Sequence, residues 1–172
     1  MMFGIVIFPP EEVRQAADTY RKRFDPHYPL IAPHMTVREA EEADGEKVAR
    51  AAEHLEAAAG KQAAFRVRLN RFSTFLPVSN VVYMAPESQG ELISLHEAIC
   101  TGPLAVPHRP YAYVPHLTVA QKLSGAETHD IYASLRPLPL DLAFTVDRVH
   151  LLVRRGDGKW NEYASFPLGQ GR

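Results

Sequence analysis

The apolar positions of this chain change period repeatedly, and each change marks a predicted element. Residues 4–8, Gly-Ile-Val-Ile-Phe, are a β-branched run that predicts a buried strand. Pro10 opens a helix with Glu11 and Glu12 in its first turn, where negative charge suits the helix dipole. Val13, Ala16, Ala17, Tyr20 and Phe24 follow at helical spacing as its buried face, and Arg21, Lys22 and Arg23 close it with cations. Residues 25–29 read as a turn. Asp44 is the expected N-cap of a helix over roughly residues 46–59, with Val48, Ala51, Ala52, Leu55 and Ala59 inward and Gly60 as the C′ residue. Residues 65–69 alternate, a loop over 73–80 contains Pro77, and residues 80–84 return, which predicts a hairpin. Ser88 and Glu91 have capping-box spacing, and their helix would turn Leu92, Leu95 and Ile99 inward before Gly102-Pro103. A second box, Ser124 with Glu127, opens a helix with Ile131 and Leu135 inward. A strand over 142–154, a turn at Asp157-Gly158 and a strand over 160–167 complete the pattern.

One stretch occurs twice. Pro33-His34-Met35-Thr36-Val37 and Pro115-His116-Leu117-Thr118-Val119 differ only in which apolar residue follows the histidine. The histidines are 82 residues apart in a chain of 172. After each copy come a helix, an Ala-Phe-x-Val strand (Ala64 to Val67, Ala143 to Val146) and a return strand carrying Tyr83 or Tyr163. The repeat covers approximately residues 30–85 and 112–168. It predicts one bilobal α+β domain over residues 1–172, with two lobes of antiparallel sheet related by a pseudo-two-fold axis, helices outside and a central cleft. Pro33 places the first motif at a strand start or sheet edge.

Composition narrows the function classes. An apolar fraction of 46% and a charged fraction of 23% are those of a globular protein. A formal net charge of −1 argues against a protein that coats long nucleic acid or an anionic membrane. The lone cysteine, Cys100, rules out an intrachain disulfide, fits a reducing compartment and is expected to pack as a small apolar residue. The apolar N-terminus lacks a basic leader and runs straight into Pro9-Pro10, so it reads as a strand rather than a signal peptide. The expectation is a cytoplasmic protein.

On an extended strand, His and Thr two apart share one face while the apolar residues between and after them point to the core. Each motif therefore offers an imidazole and a hydroxyl to one surface. Two imidazoles flanking a phosphodiester suit an in-line displacement, one removing a proton from the attacking oxygen and the other protonating the leaving oxygen. Thr36 and Thr118 would donate to the non-bridging oxygens. Packing alone accounts for Met35, Leu117, Val37 and Val119, but gives no reason for polar His and Thr at the same repeated positions. Neither motif has a second ligand at metal-site spacing, so no metal and no cofactor are expected.

These residues resemble the 2H phosphoesterases, a family defined by two His-x-Thr-x motifs, matched here by His34-Met35-Thr36-Val37 and His116-Leu117-Thr118-Val119. The resemblance extends to the YjcG-like bacterial branch, related to LigT-type 2′-5′ RNA ligases, through residues 4–9, 20–26, 114–116 and 147–152. It implies a metal-independent phosphoesterase with a bilobal fold, hydrolysing or reversibly ligating a cyclic or 2′-5′ phosphodiester of a small nucleotide or RNA end. It also implies His34 as proton donor and His116 as acceptor. A binder of nucleotides or RNA ends that has kept the cleft without turnover is the alternative class. An interaction protein holding a peptide or metabolite is a third.

Other polar residues are less directive. His108, Arg109, Tyr111 and Tyr113 form either a ligand wall or an ordinary loop. His54, His96 and His129 lie in predicted helices and His27 in a turn, where solvated or locally satisfied histidines are usual. Arg148 and His150 share a strand face that either approaches the cleft or lies outside it. Arg38 and Lys122 follow the motifs at different offsets, and solvent is the expected place for both.

Overall fold

The computed structural model describes residues 1–108 and 111–169. Its strands are β1 (Met2–Ile7), β2 (Met35–Glu42), β3 (Phe65–Thr74), β4 (Val82–Pro86), β5 (Leu117–Ala120), β6 (Leu142–Val146), β7 (Arg148–Arg154) and β8 (Trp160–Pro167). Its helices are α1 (Glu11–Phe24), α2 (Gly45–Gly60), α3 (Gly90–Ile99) and α4 (Gly125–Leu135). The strands make one antiparallel sheet in the order β6-β3-β4-β5-β2-β1-β7-β8, which gives an α+β fold. Two four-stranded halves meet at the motif strands β2 and β5, whose register runs through the pair Met35 and Leu117. Both residues are fully buried beneath that junction. Truncating such a residue to alanine costs about 2–5 kcal/mol.

The two halves of the sheet are not the two halves of the sequence. The β3–β4 hairpin follows the first motif, yet β4 pairs with β5, the strand of the second. After the second motif the chain adds β6 to β3, then crosses so that β7 pairs with β1 and β8. Helix α1 leaves β1 in one half and packs on β5 in the other, whereas α2 packs on β7 and β8 and α4 on β3 and β4. The chain thus crosses the junction repeatedly, and neither half can form from one stretch of sequence.

The crossing corrects the single strand expected over 142–154. Buried positions run Phe144 and Val146, then Val149 and Leu151, a change of parity that one continuous strand cannot make. The break falls at Asp147, whose carbonyl accepts from the backbone N–H of Leu168 at 2.8 Å. The Ser88–Glu91 capping box is also absent. Helix α3 starts at Gly90 with Gln89 as its N-cap and no side-chain capping bond, so Glu91 lies in the wrong turn position to answer Ser88. Gly60 is the last residue of α2 rather than a left-handed terminator; Lys61 follows at φ −88° and donates to the carbonyls of Ala58 and Ala59. Asp44 does cap α2, accepting from Lys47 N–H, and Ser124 and Glu127 make the full reciprocal box on α4.

Alternation along the central strands separates two environments. Phe3, Ile5, Ile7, Met35, Val37, Leu117 and Val119 face the helices and are almost wholly buried. Their neighbours Gly4, Val6, His34, Thr36, His116 and Thr118 line a cleft on the other face. Among the described residues, no helix is long and apolar enough to cross a membrane.

Candidate active site

The cleft has a volume of about 290 Å³ and brings together His34, Thr36, His116 and Thr118, the four residues expected from the repeat. The antiparallel register through Met35 and Leu117 sets Thr36 across from His116 and His34 across from Thr118. The two histidines are held by the same device. Nδ1 of His34 lies 2.8 Å from the carbonyl oxygen of Ala32, and Nδ1 of His116 lies 2.8 Å from that of Val114. A carbonyl only accepts, so each Nδ1 carries its proton and Nε2 is the nitrogen left for a ligand.

Burial pushes both imidazoles below their ordinary value. His34 is held down at about 4, mainly by loss of water and further by the charges of Arg21 and His116, against the opposing Ala32 carbonyl and Asp25. His116 is lowered chiefly by burial, with the Val114 carbonyl and Glu39 opposing. The rings also have different packing. Phe75 meets His116 edge-on at 4.9 Å between centroids and Tyr83 at 5.3 Å, while His34 has Phe8 at 6.4 Å. Phe8 in turn rests on His150 at 4.9 Å, and His150 pairs with Glu162. His150 therefore sits behind Phe8, outside the cleft lining, and Arg148 is turned outward to Ser165 at 2.6 Å.

A polar wall beside His34 was missed by sequence reasoning. Arg21 reads as a surface cation at a helix end, yet it is 2% exposed and lines the cleft. Its guanidinium donates to Asp18 Oδ1 at 2.7 Å, Asp25 Oδ2 at 3.4 Å and the Ile31 carbonyl at 2.7 Å. Asp25 also accepts from His27 N–H at 2.8 Å and from Gln121 Nε2 at 3.1 Å. His27 and Gln121 line the same wall, 3.2 Å apart, so His27 is not a solvated turn residue. A signal was present: Arg21 continues the buried spacing of Val13 and Ala17, with carboxylates three residues before and four after it.

Arg38 also overturns its expected place in solvent. It is 2% exposed, lines the cleft, and donates to the carbonyls of Leu104 at 2.8 Å and Ala105 at 3.0 Å. Its guanidinium lies 5.3 Å from the centroid of Phe3 and 3.3 Å from Glu41. Those partners come from a segment 66 residues away, which no local pattern announces. Lys122 is exposed, as expected.

Of the loop before the second motif, the described residues His108, Tyr111 and Tyr113 are not among those that line the cleft. His108 and Tyr111 are exposed. Arg109 lies outside the described residues. Tyr113 instead points under the first motif strand, donating to the Thr36 carbonyl at 2.7 Å and stacking on His96 at 3.9 Å with 4° between planes. His96 Nδ1 donates to the Val37 carbonyl at 2.6 Å, so two consecutive carbonyls of the motif strand are held by side chains. Cys100 Sγ lies 3.5 Å from that nitrogen. His54, bonded to Thr101 at 3.1 Å, is satisfied locally. Among the described residues, no group of three or more His, Cys, Asp or Glu side chains is placed to hold a metal ion.

Residues 9–158 match the model of the 2′-5′ RNA ligase superfamily. A protein of Geobacillus kaustophilus is 38% identical over 169 residues, covering 98% of this chain and 97% of that one, and its name assigns it provisionally as a phosphoesterase. A Bacillus pumilus protein with the same provisional name is 40% identical over 171 residues, covering 99% of each chain. Among solved structures, Escherichia coli LigT complexed with 3′-AMP superposes with a TM-score of 0.72 over 98% of both chains at 19% identity, a likeness that speaks to the fold. LigT has also been crystallised with ATP and with phosphate.

Proposed function

The chain belongs to the 2′-5′ RNA ligase superfamily, and on that premise we propose that it is a phosphoesterase opening a cyclic or 2′-5′ phosphodiester of a nucleotide or RNA end by two-histidine acid–base catalysis. The observation that carries this reading is the paired tether: two His-x-Thr motifs line one cleft, each ring fixed through Nδ1 to the carbonyl two residues before it. For a 2′,3′-cyclic phosphate, one imidazole takes a proton from the attacking water as its oxygen bonds to phosphorus. The other gives a proton to the ribose oxygen as its bond to phosphorus breaks. His116 is the acceptor and His34 the donor in this scheme. Thr36 and Thr118 donate to the non-bridging oxygens, where charge grows in the transition state. Because burial keeps both rings neutral in the empty cleft at pH 7, the donor takes up its proton together with the substrate anion. LigT's 3′-AMP complex and the small cleft volume both favour a ligand of nucleotide size.

The test is turnover of 2′,3′-cyclic nucleotides with EDTA present. Wild type should turn over, and His34→Ala and His116→Ala should each lose about 10²–10⁴-fold in kcat. Absence of wild-type turnover, with phosphate binding that weakens in both variants, would make the protein a binder of the same ligands. Turnover that survives either replacement would overturn the mechanism.

A further inference from the structure

Besides the motifs and the polar wall of Arg21, Asp25, His27 and Gln121, the cleft has a further group of lining residues. Its far end is lined by Gly4, Ala40, Leu152, Arg154 and Trp160, all contributed by β1, β2, β7 and β8. Strand β5 contributes Thr118, with His116 just before it, and there Phe75 and Tyr83 close against the His116 ring. The two ends differ in chemistry. The motif end presents imidazoles, hydroxyls and the Arg21 guanidinium, all suited to a phosphoryl group. The far end presents Gly4, Ala40 and Leu152 beside an indole and the Arg154 guanidinium, with Arg38 next to it on β2 and bonded to the Leu104 and Ala105 carbonyls.

We infer that this far end is a nucleobase subsite, with Trp160 as its stacking surface; the inference rests on the phosphoesterase reading and names one base as the part of the substrate recognised. Trp160 and Arg154 are cross-strand partners on β8 and β7, and the guanidinium lies 5.4 Å from the indole centroid. The backbone N–H of Trp160 donates to the Leu30 carbonyl at 3.0 Å, which fixes the start of β8 against the segment carrying His27 and Ile31. Gly4 and Ala40 keep the floor flat: a Cβ on Gly4 would stand 3.6 Å from the Ala40 Cα and 3.7 Å from its Cβ. A flat apolar floor with an indole and a cation accepts a planar heterocycle, since every base has a π-face. One such slot accommodates a single nucleoside, so a mononucleotide or a chain's terminal residue is the substrate class.

Trp160 is the only tryptophan of the chain, so its emission reports the subsite directly. Adenosine 2′-monophosphate and inorganic phosphate are titrated into wild type, with fluorescence and calorimetry as readouts. The nucleotide should quench the emission and bind about tenfold or more tighter than phosphate, which should not quench. Trp160→Ala should erase that advantage and leave phosphate binding intact, while Trp160→Phe keeps most of it. Gly4→Val, which raises the floor without touching the indole, should erase it too and remains decisive if Trp160→Ala fails to fold. Phosphate binding that needs His34, with no tighter binding of the nucleotide, overturns the subsite and spares the catalytic reading. So does a nucleotide advantage that persists in both Trp160→Ala and Gly4→Val. Phosphate binding that is absent, or unaffected by His34→Ala, overturns the catalytic reading, and the nucleotide quench then decides the subsite by itself.

Discussion

His34 and His116 share a strand position, a threonine two residues on and a 2.8 Å tether from Nδ1, yet their surroundings differ. The His34 side is electrostatic. Arg21, Asp25 and Gln121 build a charged wall there, and the cleft opens past it toward Trp160. The His116 side is aromatic, closed by Phe75 and Tyr83. The difference shows what a doubled motif does and does not conserve. Backbone pairing and tether fix where each ring nitrogen points. The residues packed around the ring set its proton affinity and which part of a ligand it meets.

The sharpest way to break the asymmetry is Arg21→Met. Arg21 and Asp25 side chains are each 2% exposed, and removing the cation leaves the carboxylate buried without it. The expected loss is about 3–5 kcal/mol in urea unfolding, the range for breaking a buried pair by deleting one partner. Exposed Arg23, two residues on, should change stability by less than about 0.5 kcal/mol when replaced by Met. Arg21 is also one of the charges that lower His34, so His34 should titrate higher in the variant by NMR while His116, which lacks that influence, stays put. Equal stability of the Arg21 and Arg23 variants would remove the charged wall from the account.

How much of this was legible follows from the range of the interactions. The motif strands were readable because alternation assigns His34 and Thr36 to one face and Met35 and Val37 to the other within four residues. The crossing at Asp147 was readable too, through the parity change between Val146 and Val149, though β-branched content on both sides masks it as one strand. Arg21 carried a local signal in Asp18 and Asp25, outweighed by the usual place of cations at a helix end. Arg38 and Tyr113 carried none, since their partners lie 66 and 77 residues away and meet only when the sheet closes. For the same reason the sequence repeat could suggest two lobes but not that each half of the sheet mixes strands from both.

A smaller effect sharpens the comparison through pH. His34 sits at about 4 in the fold against 6.5 for the unperturbed side chain, so the unfolded chain binds more protons between those values. Its contribution to stability is complete above pH 6.5 and declines as pH falls toward 4. A bound anion favours the protonated ring and reverses that bias. Sulfate, whose charge is constant across the window, should therefore bind up to about tenfold tighter per pH unit lowered, for each proton taken up. Arg21, Asp25 and His116 are the charged and titratable groups acting on this ring. Calorimetry in buffers of different ionisation enthalpy measures the uptake, and His34→Gln should flatten the dependence. Sulfate affinity that ignores pH would mean that the anion does not meet the imidazoles.

The smallest expected effect tests whether the two sides are mechanically linked. Tyr113 lies three residues before His116 but donates its hydroxyl to the Thr36 carbonyl of the other motif, and its ring stacks on His96, which holds the next carbonyl. Burial pushes its phenol well above the ordinary range, so the hydroxyl stays a donor at any working pH. Tyr113→Phe keeps the stacked ring and deletes one hydrogen bond, for an expected loss of about 1 kcal/mol in urea unfolding. If that bond only stabilises, turnover per folded molecule is unchanged. If it also sets the height of Thr36 against His116, kcat falls several-fold with KM little altered, because a threonine that stabilises developing charge matters more in the transition state than in binding. Tyr111→Phe, an exposed neighbour, should do neither. A Tyr113 variant as stable as wild type would show that the stacked pair, not the hydroxyl, carries the contact between the two motifs.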